Sequence, residues 1–320
     1  MTVLVLDVLL LVGGIGVLYF GAEWLVSAAA RLATTLGISP MVVGLTVVSL
    51  GTSAPELVVC LLAAMGGNSE LAIGNVMGSN LANIGLILGV TALVRPLDVA
   101  ARVVWREVPL MLVATLALYP LAWDGRLTRG DGVILLLGLV AYLWFVFRSV
   151  DDEAPEILDE YEDFMEASSH IRAGLPWRDI LQLLAGAGAL VVGGWAIVEG
   201  AVAVGTDLGV SQVVIGLTVV ALGTSLPELA TALVAVLRTE ADIAVGNIIG
   251  SNIFNIFAIL GATSFLEPME IGRYVLVREL PAVLVLSFLV VPFLWTDWQI
   301  RRWEGAVLVC SYLSLGFWLL

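Results

Sequence analysis

Ten predominantly apolar runs, each long enough to cross a bilayer, constrain this chain more than any other feature. They lie at about 3–30, 41–66, 71–94, 105–123, 131–150, 179–204, 212–237, 242–266, 280–295 and 303–320. A helix needs ~20 residues to span a hydrocarbon core ~30 Å thick. No water is present there to satisfy backbone N–H and C=O groups, which leaves helices or closed barrels. The runs are unbroken and show no period-2 alternation, so the expected class is an all-α membrane protein with ten transmembrane helices. With 60% hydrophobic and 13% charged residues in 320, too little polar surface remains for a soluble domain. The first run has no basic segment ahead of it and no small-residue cleavage site, and reads as a retained span.

The chain also repeats itself. Displacing it by 172 residues pairs 41–90 with 213–262 without a gap, and 26 of those 50 positions are identical. "VGLTVVSLGTSAPEL" meets "IGLTVVALGTSLPEL", and "AIGNVMGSNLANIGLILG" meets "AVGNIIGSNIFNIFAILG". The same offset pairs "GIGVLYFG" with "GAGALVVG", so the duplicated unit begins near the first residue. Each unit then carries five spans, and an odd number forces the second copy to enter the membrane from the opposite side. The expected architecture is two inverted five-helix repeats, over 1–150 and 173–320, joined by an acidic linker at 151–172.

All 14 basic residues are Arg. Connections after the odd spans carry Arg31, Arg95, Arg102, Arg106, Arg148, Arg172, Arg178, Arg238, Arg301 and Arg302, whereas those after the even spans carry Arg126, Arg129, Arg273 and Arg278. The positive-inside rule places the first set, with the linker, in the cytoplasm and both termini outside. Residues 151–167 hold nine carboxylates and no base, and read as a solvated linker without the ligand order of a calcium loop. A net charge of −14 and the lack of a basic patch exclude nucleic acid as a partner. Cys60 and Cys310 fall in different spans without metal-site spacing, and both read as buried small hydrophobes.

The chemistry sits in the repeated segments. Glu56 and Glu228 fall mid-span, where a carboxylate costs several kcal/mol unless paired, solvated or bound to a cation. No Arg, Lys or His lies in the four repeated spans before Arg238 at an edge. A bound ion is the natural counter-charge. Thr52 and Ser53 precede Glu56 by four and three residues and therefore share its helix face, as Thr224 and Ser225 do for Glu228. Pro55 and Pro227 lack an N–H, so each helix should kink around Gly51 and Gly223 and free carbonyls there. The following spans add oxygens at four-residue spacing, Asn75, Ser79, Asn83 and Asn247, Ser251, Asn255. Hydroxyl, amide, carboxylate and carbonyl without imidazole or thiolate is a ligand set for hard cations such as calcium or sodium. One calcium or two sodium ions balance two carboxylates equally, a physical basis for exchange.

These residues, "GTSAPEL" with "GNVMGSNLANI" and "GTSLPEL" with "GNIIGSNIFNI", resemble the two alpha-repeats of the sodium/calcium exchangers in the cation/calcium antiporter superfamily, of the compact prokaryotic type. The resemblance implies an antiporter needing no cofactor, with calcium and sodium as transported substrates. It further implies that Glu56 and Glu228 bridge the calcium and that Thr52 and Thr224 offer it backbone carbonyls. Ser53, Ser79, Ser225, Ser251 and the carbonyls of Ser49 and Ala221 would complete flanking sodium sites, with Asn83 and Asn255 lining the centre. Some relatives carry Asp at the position of Asn255. The alternatives are a proton-coupled calcium antiporter and a passive cation channel. The proton-coupled branch usually has a His near its repeat glutamate, whereas the only His here is His170, in the linker. An intramembrane acid–base enzyme is disfavoured, because duplication gives the two glutamates near-equivalent surroundings and such chemistry needs them unlike.

Overall fold

The computed structural model describes residues 2–148, 177–208, 221–295 and 298–319. The acidic linker with His170, and residues 212–220 of the span expected at 212–237, lie outside the described residues. In order, the helices are α1 (Thr2–Leu36), α2 (Pro40–Thr52), α3 (Ala54–Met65), α4 (Ser69–Val94), α5 (Val103–Leu121), α6 (Arg129–Arg148), α7 (Trp177–Asp207), α8 (Ala221–Gly223), α9 (Leu226–Leu237), α10 (Ala241–Leu266), α11 (Val275–Trp295) and α12 (Arg302–Leu319). Among the described residues, seven are long and apolar enough to cross a membrane, and the bent pair α2–α3 makes an eighth. The protein is therefore an all-helical, multi-pass membrane protein.

Local sequence explains the boundaries. α1 stops where Gly37 takes φ +64°, and α3 gives way to α4 through Gly67 at φ +74°. The Asn68 side chain then accepts the Leu71 N–H at 3.1 Å and caps α4. At α6, Thr128 and Asp131 cap reciprocally, Thr128 N donating to the carboxylate at 2.8 Å and Asp131 N to the Thr128 hydroxyl at 3.3 Å.

Burial sorts the helices into two shells. In α4 and α10, which carry the Asn/Ser stripes, 78% and 89% of the residues of an 18-residue apolar stretch are buried, against 28%, 22% and 33% in α1, α6 and α7. The outer helices present Leu9, Val12, Leu137, Val140, Trp144 and Trp195 outward, as surfaces solvated by lipid should. α1 and α7 form an antiparallel pair in contact at glycines. A Cβ on Gly14 would stand 3.0 Å from the Gly193 carbonyl, and one on Gly21 3.0 Å from that of Gly186. α2 crosses α10 as closely, with the Cβ position of Gly250 lying 2.7 Å from the Leu45 carbonyl. Small residues permit such backbone approach, which substitutes for a hydrophobic driving force between helices in lipid.

Two short antiparallel ribbons tie the copies together outside the helices. Leu97–Asp98 pairs with Gln299–Ile300, and Arg126–Leu127 with Met269–Glu270. π-helical turns recur with the duplication, at Asn83–Ile87 and Asn255–Leu260 and at Val103–Glu107 and Val275–Glu279. One expectation is corrected: Cys60 is buried, but Cys310 is exposed, in a groove between α11 and α12. It lies on an outer helix whose apolar face looks outward, where hydropathy alone cannot distinguish lipid from protein.

Candidate functional site

The site forms where α2 breaks into α3 and α8 breaks into α9. Pro55 has no N–H to offer the Gly51 carbonyl, and Pro227 none for Gly223. At both breaks the backbone leaves helical geometry one residue after the threonine, at Ser53 with φ −82° and ψ 5° and at Ser225 with φ −89° and ψ 4°. α2 and α3 meet at a bend of 44°. Glu56 and Glu228 fall in the first turns of α3 and α9, where N-terminal N–H groups favour negative charge.

Both carboxylates are 1% exposed. Their hydroxyl neighbours come from the opposite copy. Ser53 Oγ donates to Glu228 Oε1 at 3.2 Å, with Thr52 alongside, while Thr224 and Ser225 stand beside Glu56. The expectation that Thr52 and Ser53 stand over Glu56 on one helical face is thus replaced by cross-copy pairing. The four-residue rule assumes a continuous helix, and the break at Ser53 ends that continuity.

The remaining expected residues converge on this point. Ser79, Ser251, Asn83 and Asn255 are all buried on α4 and α10, and Ser225 Oγ donates to Ser79 Oγ at 3.4 Å. Asn83 and Asn255 each open a π-helical turn, a widening that frequently accompanies function. The Ser49 carbonyl accepts the Ser53 N–H at 3.0 Å, and its hydroxyl reaches the Gly44 and Asn247 carbonyls at 2.7 and 3.1 Å. Ala221 opens α8, and its side chain lies outside the described residues. Beside Thr224, between α7 and the two breaks, is an apolar cavity of about 350 Å³ lined by Pro55, Val58, Val191, Trp195 and Pro227.

Among the buried side-chain oxygens with no hydrogen-bond partner among the described residues are Glu56 Oε2, Glu228 Oε2, Asn83 Oδ1 and Asn255 Oδ1, together with Thr231 Oγ1 on α9 and Asn252 Oδ1 on α10. Leaving such acceptors unsatisfied is costly, more so for charged groups. Among the described residues no three His, Cys, Asp or Glu side chains gather as a metal centre. The donor set is two carboxylates and neutral oxygens, which fits a hard cation rather than a transition metal.

Sequence reasoning passed over Asn80 and Asn252, which sit one residue beyond the stripe. Asn255 Nδ2 donates to Asn80 Oδ1 at 2.9 Å, and Asn80 Nδ2 to the Asn252 carbonyl at 3.4 Å, locking α4 to α10. Their places in the two GSN triplets were the available signal. It also passed over Glu107, a wholly buried acid whose Oε1 takes the Arg102 guanidinium at 3.2 Å. A charged pair in the "RVVWRE" stretch was its signal.

The chain matches the family model for the sodium/calcium exchanger protein over residues 6–148 and 179–320. It is 37% identical over 318 residues to the inner membrane protein YrbG of Escherichia coli, covering 97% of this chain and 96% of that one. It is 32% identical over 338 residues to the sodium/calcium exchanger MaX1 of Methanosarcina acetivorans, covering 96% of each. Among solved structures, the sodium-calcium exchanger NCX_Mj soaked with Na+ and Sr2+ superposes with a TM-score of 0.82 at 29% identity, over 97% of both chains. The matched segments include both glutamate-bearing helix breaks and both Asn/Ser stripes, and the chain belongs to the sodium/calcium exchanger family.

Proposed function

We propose that this protein is a secondary active antiporter that exchanges sodium for calcium by alternating access, binding the ions between the two helix breaks. The observation that carries this reading is the set of unpartnered oxygens on Glu56, Glu228, Asn83 and Asn255, buried with no protein cation beside the carboxylates among the described residues. One calcium, or two sodium ions in its place, neutralises the two acids, so the two loads exclude each other by charge. Glu56 and Glu228 bridge the calcium. The carbonyls of Thr52 and Thr224 join them, Ser53, Ser79, Ser225, Ser251 and the carbonyls of Ser49 and Ala221 serve the sodium sites, and Asn83 and Asn255 line the centre.

The architecture that goes with it is ten helices in two inverted five-helix units, over 1–150 and 173–320, with 151–172 between them in the cytoplasm. Two observations favour inversion. Each interloop ribbon joins one copy to the other, and each joins connections that a ten-span path puts on the same side. The first helices of the two units, α1 and α7, also run antiparallel. α1 and α7 lie outside the ion-binding core, the position from which they slide to change its access.

The decisive experiment uses the full chain in proteoliposomes, with calcium uptake driven by a sodium gradient while an ionophore collapses the proton gradient. Uptake by the wild type and none by Glu56→Gln or Glu228→Gln, each still monodisperse in detergent, is the expected result. Uptake that needs a proton gradient and ignores sodium overturns the sodium coupling. Calcium flux that persists without any countergradient overturns antiport.

A further inference from the structure

The asparagine that opens each polar stripe, Asn75 in α4 and Asn247 in α10, stands outside the ligand set above. Each instead reaches across to the threonine before the other copy's break. Thr52 Oγ1 donates to Asn247 Oδ1 at 3.0 Å, and Thr224 Oγ1 to Asn75 Oδ1 at 3.5 Å. The Thr52 hydroxyl has one proton; the Ser49 carbonyl at 3.4 Å and Ser251 Oγ at 3.5 Å are farther than Asn247 Oδ1, and the Glu228 carboxylate also stands beside it. Asn247 is wholly buried, and its own backbone carbonyl lies 3.1 Å from the Ser49 hydroxyl, which has the nearer Gly44 carbonyl at 2.7 Å. The Asn247 side chain therefore holds the Thr52 end of Ser49–Thr52, the last helical turn before the break.

That turn needs an external hold. Downstream of it, Pro55 supplies no N–H to the Gly51 carbonyl, and Ser53 has already left helical geometry. The direction of the Thr52 peptide is therefore set by what its side chain binds. We infer that Asn247, and to a lesser degree Asn75, are positioning residues, each fixing the threonine of the opposite copy so that its peptide carbonyl faces the transported ion. The inference rests on the exchanger reading and adds to it a physical tie between the copies.

The two asparagines are not equivalent. Asn75 Nδ2 donates to Cys60 Sγ at 3.3 Å, and that thiol donates to the Ala72 carbonyl at 3.3 Å. The duplication puts Ala232 where Cys60 stands, and Asn247 Nδ2 has no partner among the described residues. Asn75 is thus anchored within its own copy and meets Thr224 at the longer distance, whereas Asn247 is committed to Thr52. The larger functional weight falls on Asn247.

The test is a double-mutant cycle on the full chain in proteoliposomes, reading half-saturating calcium and maximal rate separately. Asn247→Ala should raise half-saturating calcium about tenfold, equivalent to about 1.4 kcal/mol, with the maximal rate within about twofold. Asn75→Ala should raise it by about threefold or less, as its hydrogen bond is the longer one. Thr52→Val, which keeps the peptide and removes the hydroxyl, should match Asn247→Ala, and the double variant should be no worse than either. If Asn247→Ala does not fold, the near-isosteric Asn247→Leu removes the same acceptor and takes its place in the cycle. Multiplying effects in the double variant, or wild-type half-saturation without Asn247, overturn the inference. Glu228→Gln run in parallel separates the outcomes: if it is inactive while the asparagine variants behave as wild type, only the positioning role fails.

Discussion

Buried asparagines at the centre of the molecule divide by what their amides do. Asn80 spends both ends of its side chain on α10, accepting from Asn255 Nδ2 and donating to the Asn252 carbonyl. Asn83, three residues on, has neither end engaged among the described residues. Asn80→Leu should therefore cost about 1–3 kcal/mol of stability, seen as a lower melting temperature in detergent, because it leaves Asn255 Nδ2 and its neighbours unsatisfied in the interior. Asn83→Ala should leave the melting temperature nearly unchanged while weakening calcium binding, measured by isotherms on the purified protein. The linear sequence separates these two only by periodicity: Asn83 lies on the four-residue stripe and Asn80 does not. That stripe also contains Asn75, and its counterpart in α10 contains Asn247, and the oxygens of both turn to threonine hydroxyls. Spacing identifies a polar face but not which member of it meets an ion.

Among the elements, close crossings are set by glycine. Gly250→Ala would put a methyl 2.3 Å from Ser49 Oγ and 2.7 Å from the Leu45 carbonyl, and Gly193→Ala one 2.6 Å from Leu18 N. Backbone cannot swing aside as a side chain does, so each should lose about 1–3 kcal/mol, read by thermal denaturation in detergent. Gly13→Ala, with nothing within 4 Å among the described residues, is the control and should be neutral or slightly stabilising. Pro55→Ala should restore the missing donor to Gly51, straighten the 44° bend between α2 and α3, and slow transport without unfolding the protein. The bent helix was legible because proline's missing N–H is a local property. The π-helical turns at Asn83 and Asn255 were not, since what widens a turn is the packing around it.

For the molecule as a whole, the ribbons between connections carry the topological prediction. Asp124 and Asp98 are both exposed, one beside the ribbon at 126–127 and the other in the ribbon at 97–98. In a Cys310→Ser background, a membrane-impermeant maleimide added to intact cells should label Asp124→Cys and leave Asp98→Cys unlabelled until the membrane is opened. The reverse pattern would invert the proposed orientation, and labelling of both from outside would break the ten-span path. The all-helical, multi-pass character, the duplication and the two buried acids could all be read from one strand of letters, because a bilayer imposes length and apolarity locally and a repeat needs only self-comparison. Which hydroxyl serves which carboxylate could not, for Ser53 donates to Glu228, 175 residues away, and not to Glu56 beside it. A helix break cancels the periodic rule that relates neighbours, and from there partners are chosen by the packing of one copy against the other.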